Sequence, residues 1–181
     1  MNRRLFLSAL PLMALASAVV AQTLPAGPER DPDVPFVPTR LEVVEAMLQI
    51  AEVKPEDVVY DLGCGDGRIP IAAAQKFGAR GVGIDIEPTL IAEAYGNASI
   101  AGVNDRTRFI VGDLFKADIS EATVVTLYLL PGINEKLKPK LIRELKPGTR
   151  IVSHDFGIGD WVPERTVKLG SDIIYLWRIP G

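Results

Sequence analysis

The chain has 181 residues, of which 48% are hydrophobic and 24% charged, and its formal net charge is −3. This length and composition indicate one folded domain with a sizeable core. The acidic balance argues against DNA or RNA in general as the main partner, although a small structured RNA stays open. The single cysteine, Cys64, excludes an internal disulfide, and no histidine or further cysteine clusters with it, so no metal site is predicted.

The first 21 residues predict an export signal. Arg3 and Arg4 precede an uncharged apolar run that ends in small residues near Ala21, where cleavage is expected. The arginine pair and the Leu-Phe-Leu after it are similar to the twin-arginine type of signal, which carries folded proteins across bacterial membranes. We therefore expect an exported, periplasmic protein. The alternative is an uncleaved segment that anchors the domain in the inner membrane, and this would be its only membrane contact.

Prolines separate this segment from the domain. Residues 22–38 contain five prolines and predict an extended linker, which places the domain at residues 39–181. Residues 39–42 form a capping-box pattern, and apolar residues then recur at helical spacing until Pro55. We expect this helix to cover one edge of a ligand-binding cleft, which the residues that follow it predict. The Thr39 hydroxyl either contacts a ligand there or only caps the helix.

Residues 57–67 combine a buried strand, an acid and alternating glycines. Val58 to Tyr60 suit a parallel strand, and Gly63, Gly65 and Gly67 allow a turn so tight that backbone N–H groups face a ligand. Residues 68–77 supply the helix that must follow. The spacing is not the dinucleotide fingerprint, because Arg68 stands where the third glycine would be. Asp61 would repel a pyrophosphate and favours a ligand that carries positive charge.

This stretch resembles the first motif of the class I S-adenosylmethionine-dependent methyltransferases, whose cofactor carries an amino group and a sulfonium. In that family the acid that ends the second strand binds the ribose hydroxyls. Asp85 ends the second predicted strand here, 22 positions after Gly63, against an expected distance of about 20. In the family a third strand ends in an acid near the adenine amino group, and Asp113 has that place.

Each acid also has a simpler interpretation, because Asp85 could only cap a helix and Asp113 could only be a turn residue. Their agreement in order and spacing favours the cofactor. Cys64 is expected to be a small residue tolerated in the glycine loop, not a nucleophile. The resemblance thus implies S-adenosyl-L-methionine as cofactor and the following binding residues: Thr39, Asp61, Gly63, Cys64, Gly65, Gly67, Asp85, Ile86, Asp113 and Leu114.

The remaining elements continue the strand and helix alternation. We expect a helix at 88–101, strands at 108–112 and 123–129, a helix at about 132–145 with Pro139 as a kink, and a strand at 150–153. The tail predicts a closing hairpin around residues 170–172. The predicted fold is α/β: a Rossmann-like, open, mostly parallel seven-strand sheet with helices on both faces and an antiparallel C-terminal strand.

The methyl acceptor is expected beyond strands four and five. Many amino-group methyltransferases carry Asn or Asp followed by Pro-Pro-Tyr or Pro-Pro-Phe after strand four, but this chain has Tyr128-Leu-Leu-Pro131. This departure argues against methylation of DNA adenine or glutamine. Residues 36 to about 161 resemble instead a group of seven-strand protein-lysine methyltransferases with archaeal and mitochondrial members. The resemblance implies transfer to protein lysine, with Tyr128 and His154 as candidate catalytic residues.

A site that methylates lysine must first make the deprotonated amine available. The lysine ammonium group has a pKa of about 10.4 in water, so deprotonating it at pH 7 costs roughly 4.6 kcal/mol before methyl transfer begins. Desolvation by apolar and aromatic residues near Tyr128 could lower that cost without a dedicated general base. Two alternatives stay open: a small-molecule methyltransferase, and an exported module that keeps the fold without catalysis.

Overall fold

The computed structural model describes residues 36–181, so the predicted signal peptide and most of the linker lie outside the described residues. Eleven elements follow one another in this range. The helices are α1 Leu41–Ile50, α2 Arg68–Phe77, α3 Pro88–Ala101 and α4 Pro131–Glu144. The strands are β1 Val58–Leu62, β2 Arg80–Asp85, β3 Thr107–Val111, β4 Val124–Leu127, β5 Arg150–His154, β6 Arg165–Leu169 and β7 Asp172–Arg178.

The seven strands form one sheet in the order β3-β2-β1-β4-β5-β7-β6. The first five pair in parallel, and β7 pairs antiparallel with both β5 and β6. The predicted parallel sheet, with one antiparallel strand near the C-terminus, is confirmed. The chain runs from β1 outward to β3 and then crosses back to β4, so the order reverses beside β1. Open α/β sheets bind their ligands at such a reversal.

Helices cover both faces of the sheet, as predicted. Strand residues alternate between the faces, so that Val59 packs with α1 and α2 while Tyr60 and Leu62 pack with α4. Burying each large apolar side chain contributes on the order of 1.5–3 kcal/mol. The central strand β1 is buried along its whole length, which fixes the position of Asp61 near its end.

Two local predictions need correction. Arg40, not Thr39, precedes the first turn of α1, and no side chain caps that turn. The Thr39 hydroxyl lies instead 3.4 Å from His154 Nδ1, because the segment before the helix packs against the end of β5. The fourth strand ends at Leu127, so Tyr128 begins a loop. None of the helices in the described range is both long and apolar enough to cross a membrane.

Candidate active site

A cleft of about 350 Å³ opens at the carboxyl ends of the parallel strands. We call it the strand-end cleft. Nine of the residues singled out from the sequence line it: Thr39, Asp61, Gly63, Cys64, Asp85, Ile86, Asp113, Leu114 and Tyr128. Gly65 and Gly67 shape the loop without lining the cleft, and His154 lies outside the lining. The structure thus brings acids from three strand ends to one place.

The glycine loop has the conformation that its sequence predicts. Gly63, Gly65 and Gly67 have φ angles of +82°, +50° and +79°, which L-residues with a side chain rarely adopt. The backbone N–H groups of Gly63 and Cys64 both donate to the Ile84 carbonyl, at 2.8 and 3.0 Å. These bonds hold the loop against the end of β2. A larger residue at any of the three glycines would strain the turn.

Asp85 is fixed by the loops on either side of it. One carboxylate oxygen accepts the Gly65 N–H at 2.8 Å, and the other accepts the Glu87 N–H at 3.0 Å. Asp113 accepts the Phe115 N–H at 2.9 Å, in the turn after β3. Both carboxylates line the cleft in fixed orientations, beside the apolar Ile86 and Leu114. This combination suits a nucleoside, whose base is flat and whose hydroxyls donate hydrogen bonds.

Asp61 is the most buried acid of the cleft, with 3% of its surface exposed. Thr126 on the neighbouring strand β4 donates to it at 2.7 Å. Burial raises the pKa of Asp61 to about 7, and the charges of Asp85 and Asp66 add to that rise, while the Thr126 hydrogen bond opposes it. A cationic ligand would compensate the buried charge, so the site favours positive charge at this point.

Negative charge dominates the described lining of the cleft. Five acids belong to it, namely Asp61, Asp66, Asp85, Glu87 and Asp113, against one cationic side chain, Arg68. Arg68 is already paired, since its guanidinium donates to both Asp66 oxygens at 2.9 and 2.5 Å. Sequence reasoning missed Asp66 and Arg68 as lining residues. Thr126 could have been inferred from the parallel register, in which it stands opposite Asp61.

Residues 36–40, which we call the leading segment, cover one side of the cleft. Arg68 donates to the Thr39 carbonyl at 2.7 Å, and Arg40 forms an ion pair with Asp172 at the start of β7. The Phe36 ring lies directly against Gly65, so that a Cβ added to this glycine would overlap the ring. The segment is therefore tied to the glycine loop and to the C-terminal hairpin.

Aromatic rings form the wall beyond β4. Tyr128 lines the cleft, and its ring centroid lies 4.0 Å from that of His154 and 6.3 Å from that of Phe156, to which it is nearly parallel. His154 is 3% exposed, and its Nε2 lies 3.1 Å from an Asp172 oxygen. The structure therefore places His154 behind Tyr128 and not in the cleft. The catalytic role expected for His154 stays a prediction.

His154, Asp155 and Asp172 bring potential metal-ligand atoms within 4.8 Å of one another, the one such group among residues 36–181. Arg40 already pairs with Asp172, and a backbone N–H of Ile173 donates to Asp155 at 2.9 Å. Asp172 is therefore charge-paired without an ion, and Asp155 is held by a backbone N–H. The absence of a metal site stays a prediction from the sequence.

Cys64 is buried in the glycine loop. Burial raises the pKa of its thiol well above the usual value, and the nearby charges of Asp61 and Asp85 act in the same direction. The thiol is therefore protonated at neutral pH and is a poor nucleophile. This agrees with its interpretation as a small residue that the loop tolerates.

The cleft fits S-adenosylmethionine by its own chemistry. Its described lining offers a cluster of carboxylates with a single, already paired cation, which matches a ligand with an amino group and a sulfonium. It also offers fixed carboxylates beside apolar walls for a nucleoside, and a glycine loop at the amino end of α2. A pyrophosphate-containing dinucleotide would meet repulsion from Asp61 and Asp66.

Comparison with known proteins agrees with this geometry. Residues 61–165 match the family described as ANTKMT methyltransferase domain. A protein-lysine N-methyltransferase from Saccharolobus islandicus is 53% identical over 153 residues, which cover 82% of this chain and 95% of that protein. An adenine nucleotide translocase lysine N-methyltransferase from Mus musculus is 32% identical over 148 residues, with 82% of this chain and 64% of that protein covered.

Solved structures give the same fold. The crystal structure of an RNA methyltransferase from Salinibacter ruber in complex with S-adenosyl-L-homocysteine has a TM-score of 0.79 and 60% identity, covering 80% of this chain and 94% of that one. A methyltransferase from Geobacter sulfurreducens, also bound to S-adenosyl-L-homocysteine, has a TM-score of 0.56 and 29% identity, covering 70% and 51%. The chain therefore belongs to the ANTKMT methyltransferase family and is a class I methyltransferase that uses S-adenosylmethionine.

Proposed function

We propose that this enzyme methylates the side-chain amine of lysine residues in proteins. The observation that carries the proposal is the 53% identity to a protein-lysine N-methyltransferase, which extends over 95% of that protein. The Mus musculus relative is likewise described as a lysine N-methyltransferase. The family match at residues 61–165 includes the loops after β4 and β5, where the acceptor is expected.

RNA is the competing acceptor, because the Salinibacter ruber protein is described as an RNA methyltransferase. The charge of this chain favours lysine. Its net charge is −3, and the described lining of the strand-end cleft holds five acids and one arginine that is already paired. Phosphates approaching this cleft would be repelled, whereas a lysine ammonium would be attracted. Methylation of RNA is therefore the alternative result that the experiment below tests for.

We assign the cofactor contacts to residues of the strand-end cleft. Asp85 would accept the ribose hydroxyls, Asp113 would lie at the adenine, and Asp61 would lie at the amino group. Ile86 and Leu114 would pack against the base, and Thr39 would lie at the methionine end. When bound, S-adenosylmethionine supplies a methyl group on a positively charged sulfur, which is already a good leaving group.

The acceptor side contributes desolvation and orientation. Tyr128, Leu129 and Ile133 line the cleft beyond β4 and exclude water from a lysine amine that enters there. Such an environment lowers the pKa of the ammonium group, so that its proton is released to water as the side chain enters and the amine lone pair is free to attack the methyl group. His154 supports Tyr128 from behind through the ring contact. It is thus a positioning residue, and the site needs no dedicated general base.

The test offers the full chain three acceptor pools with S-adenosylmethionine carrying a labelled methyl group. The pools are a lysine-rich protein mixture, total RNA, and a mixture of small amines and phenols. We expect label in the protein pool, with methyl-lysine identified by mass spectrometry. Acetylating the lysines of the same proteins beforehand should abolish the signal. Label that enters only RNA or only the small molecules would refute lysine as the acceptor.

We also propose that residues 1–21 direct the enzyme out of the cytoplasm, with membrane anchoring as the alternative. The twin arginines and the apolar run support this proposal. A pathway that carries folded proteins could export the enzyme with its cofactor already bound, which would explain how a cytoplasmic cofactor reaches the periplasm.

A further inference from the structure

The loop after β5 places an acid beside the aromatic wall of the strand-end cleft. Asp155 follows His154 directly, between that residue and Phe156, whose ring is nearly parallel to the Tyr128 ring at 6.3 Å. Tyr128 itself lines the cleft. A group that approaches the cleft over these two rings therefore passes the loop that carries Asp155.

The Asp155 carboxylate is held in a fixed orientation. The Ile173 N–H donates to one oxygen at 2.9 Å, and the other oxygen lies 3.4 Å from His154 Nε2. The residue has a φ of +60°, one of two positive values among the non-glycine residues of the described range. The side chain remains 31% exposed. It is thus both oriented by the fold and accessible from solvent.

Among the described residues, no fixed cation neutralises the charge of Asp155. Asp172, the neighbouring acid, forms an ion pair with Arg40 and is 13% exposed. Within residues 36–181, Asp155 has no ion pair with a lysine or arginine, and the His154 imidazole, 3.4 Å from one of its oxygens, is a charged partner only when protonated. Burial raises the pKa of Tyr128, and the negative charges of Asp155 and Asp172 raise it further. The charge of Asp155 therefore acts on the wall of the cleft.

We propose that Asp155 recognises the acceptor by binding the lysine in its ammonium form at the mouth of the strand-end cleft. The carboxylate attracts the charge, and the Tyr128 and Phe156 rings pack along the aliphatic stem and favour a cation over their faces. Asp155 is then a specificity-determining residue, which selects a long cationic side chain over a neutral one. This inference rests on the proposed function and names how that site selects its substrate.

The test compares the full chain with Asp155→Asn. Asparagine tolerates a positive φ, and its side-chain oxygen still accepts from Ile173, so this variant should fold and bind the cofactor normally. The acceptor is an otherwise uncharged peptide with one lysine. We expect the KM for the peptide to rise about tenfold, with kcat changed less than about twofold. The dissociation constant for S-adenosylmethionine should stay the same.

Two controls make the result specific. Asp105→Asn removes the same charge from an acid that is 79% exposed in the turn before β3, and it should leave the peptide KM unchanged. A peptide with norleucine in place of lysine keeps the aliphatic stem without the ammonium. It should inhibit the wild type and Asp155→Asn with equal inhibition constants, because Asp155 acts on the charge alone.

The experiment distinguishes a failure of the proposed function from a failure of the role of Asp155. If the wild type binds S-adenosylmethionine but methylates no lysine peptide, the proposed function falls and this inference falls with it. If the wild type turns over and Asp155→Asn has the same KM, only the role of Asp155 is refuted. A loss confined to kcat, or a parallel loss of norleucine-peptide inhibition, would also overturn it, since either would indicate damage to the site instead of lost charge recognition.

Discussion

Asp61 is the residue of the cleft through which pH would affect cofactor binding. It is an acid in a buried strand, and its pKa is raised to about 7 by desolvation and by neighbouring acids. In the unfolded chain the same carboxyl has a pKa of about 3.9. Because the folded pKa is the higher one, the stability associated with protonated Asp61 is complete below about pH 4 and is lost as the pH rises through about 7. A cationic ligand reverses the preference, since it stabilises the ionised form.

We therefore predict that the affinity for S-adenosylmethionine increases between about pH 6 and pH 8, by up to about tenfold through Asp61. Asp61→Asn keeps the acceptor for Thr126, so it should fold, bind the cofactor more weakly and lack this component of the pH dependence. Without cofactor, it should also lose less thermal stability than the wild type between about pH 5 and pH 8. Calorimetric titration and thermal unfolding across this range measure both effects.

The variant also serves as the control, because any titration of the cofactor's own amino group appears equally in both proteins. If affinity depended on pH to the same extent in Asp61→Asn and in the wild type, the assignment of the titrating group to Asp61 would be wrong.

At the scale of elements, the sequence predicted the order and type of the strands and helices because each has its own local pattern. It also predicted the acids at the strand ends, since carboxyl ends of parallel strands share one edge of the sheet. What it did not predict depends on distant contacts. Thr126 reaches Asp61 across 65 positions, and His154 reaches Asp172 across 18. Thr39 in the leading segment was predicted to cap a helix, but its hydroxyl lies near His154 and its carbonyl accepts from Arg68 instead.

The contact between the leading segment and the glycine loop yields a prediction about Gly65. A Cβ at this position would overlap the Phe36 ring, in a backbone with φ of +50°. Gly65→Ala should therefore displace the leading segment and the Gly65 N–H that binds Asp85, and it should weaken S-adenosylmethionine binding at least about tenfold. Calorimetric titration of the cofactor measures the loss.

The variant Gly102→Ala separates the effect of backbone strain from the effect of the overlap between a Cβ at position 65 and the Phe36 ring. Gly102 also has a positive φ, +70°, but an added Cβ there would meet no described atom within 4 Å. It should cost about 1 kcal/mol of stability and leave cofactor affinity unchanged. Equal losses of affinity in the two variants would show that the leading segment does not contribute to the cofactor site.

At the scale of the whole molecule, an enzyme with a cytoplasmic cofactor carries a sequence typical of export. The described residues that line its cleft all lie between Phe36 and Ile133, after the predicted signal and most of the linker. The acids and glycines that would hold the cofactor therefore belong to the folded domain and not to the predicted export signal. This separation would allow the domain to fold around its cofactor before transport, as a twin-arginine pathway requires of its cargo.

We predict that the chain is exported folded and cleaved after Ala21, and that Arg3→Lys with Arg4→Lys blocks export. Lysine keeps the positive charge, so a signal read only through charge would still function, whereas a twin-arginine signal would not. Cell fractionation with mass spectrometry of the N-terminus should find the processed wild type in the periplasm and the unprocessed double variant in the cytoplasm. Both forms should bind S-adenosylmethionine equally, because the described lining of the cleft begins at Phe36. An unprocessed wild type in the membrane fraction would indicate anchoring instead, and the orientation of the domain would then decide whether it draws its cofactor directly from the cytoplasm.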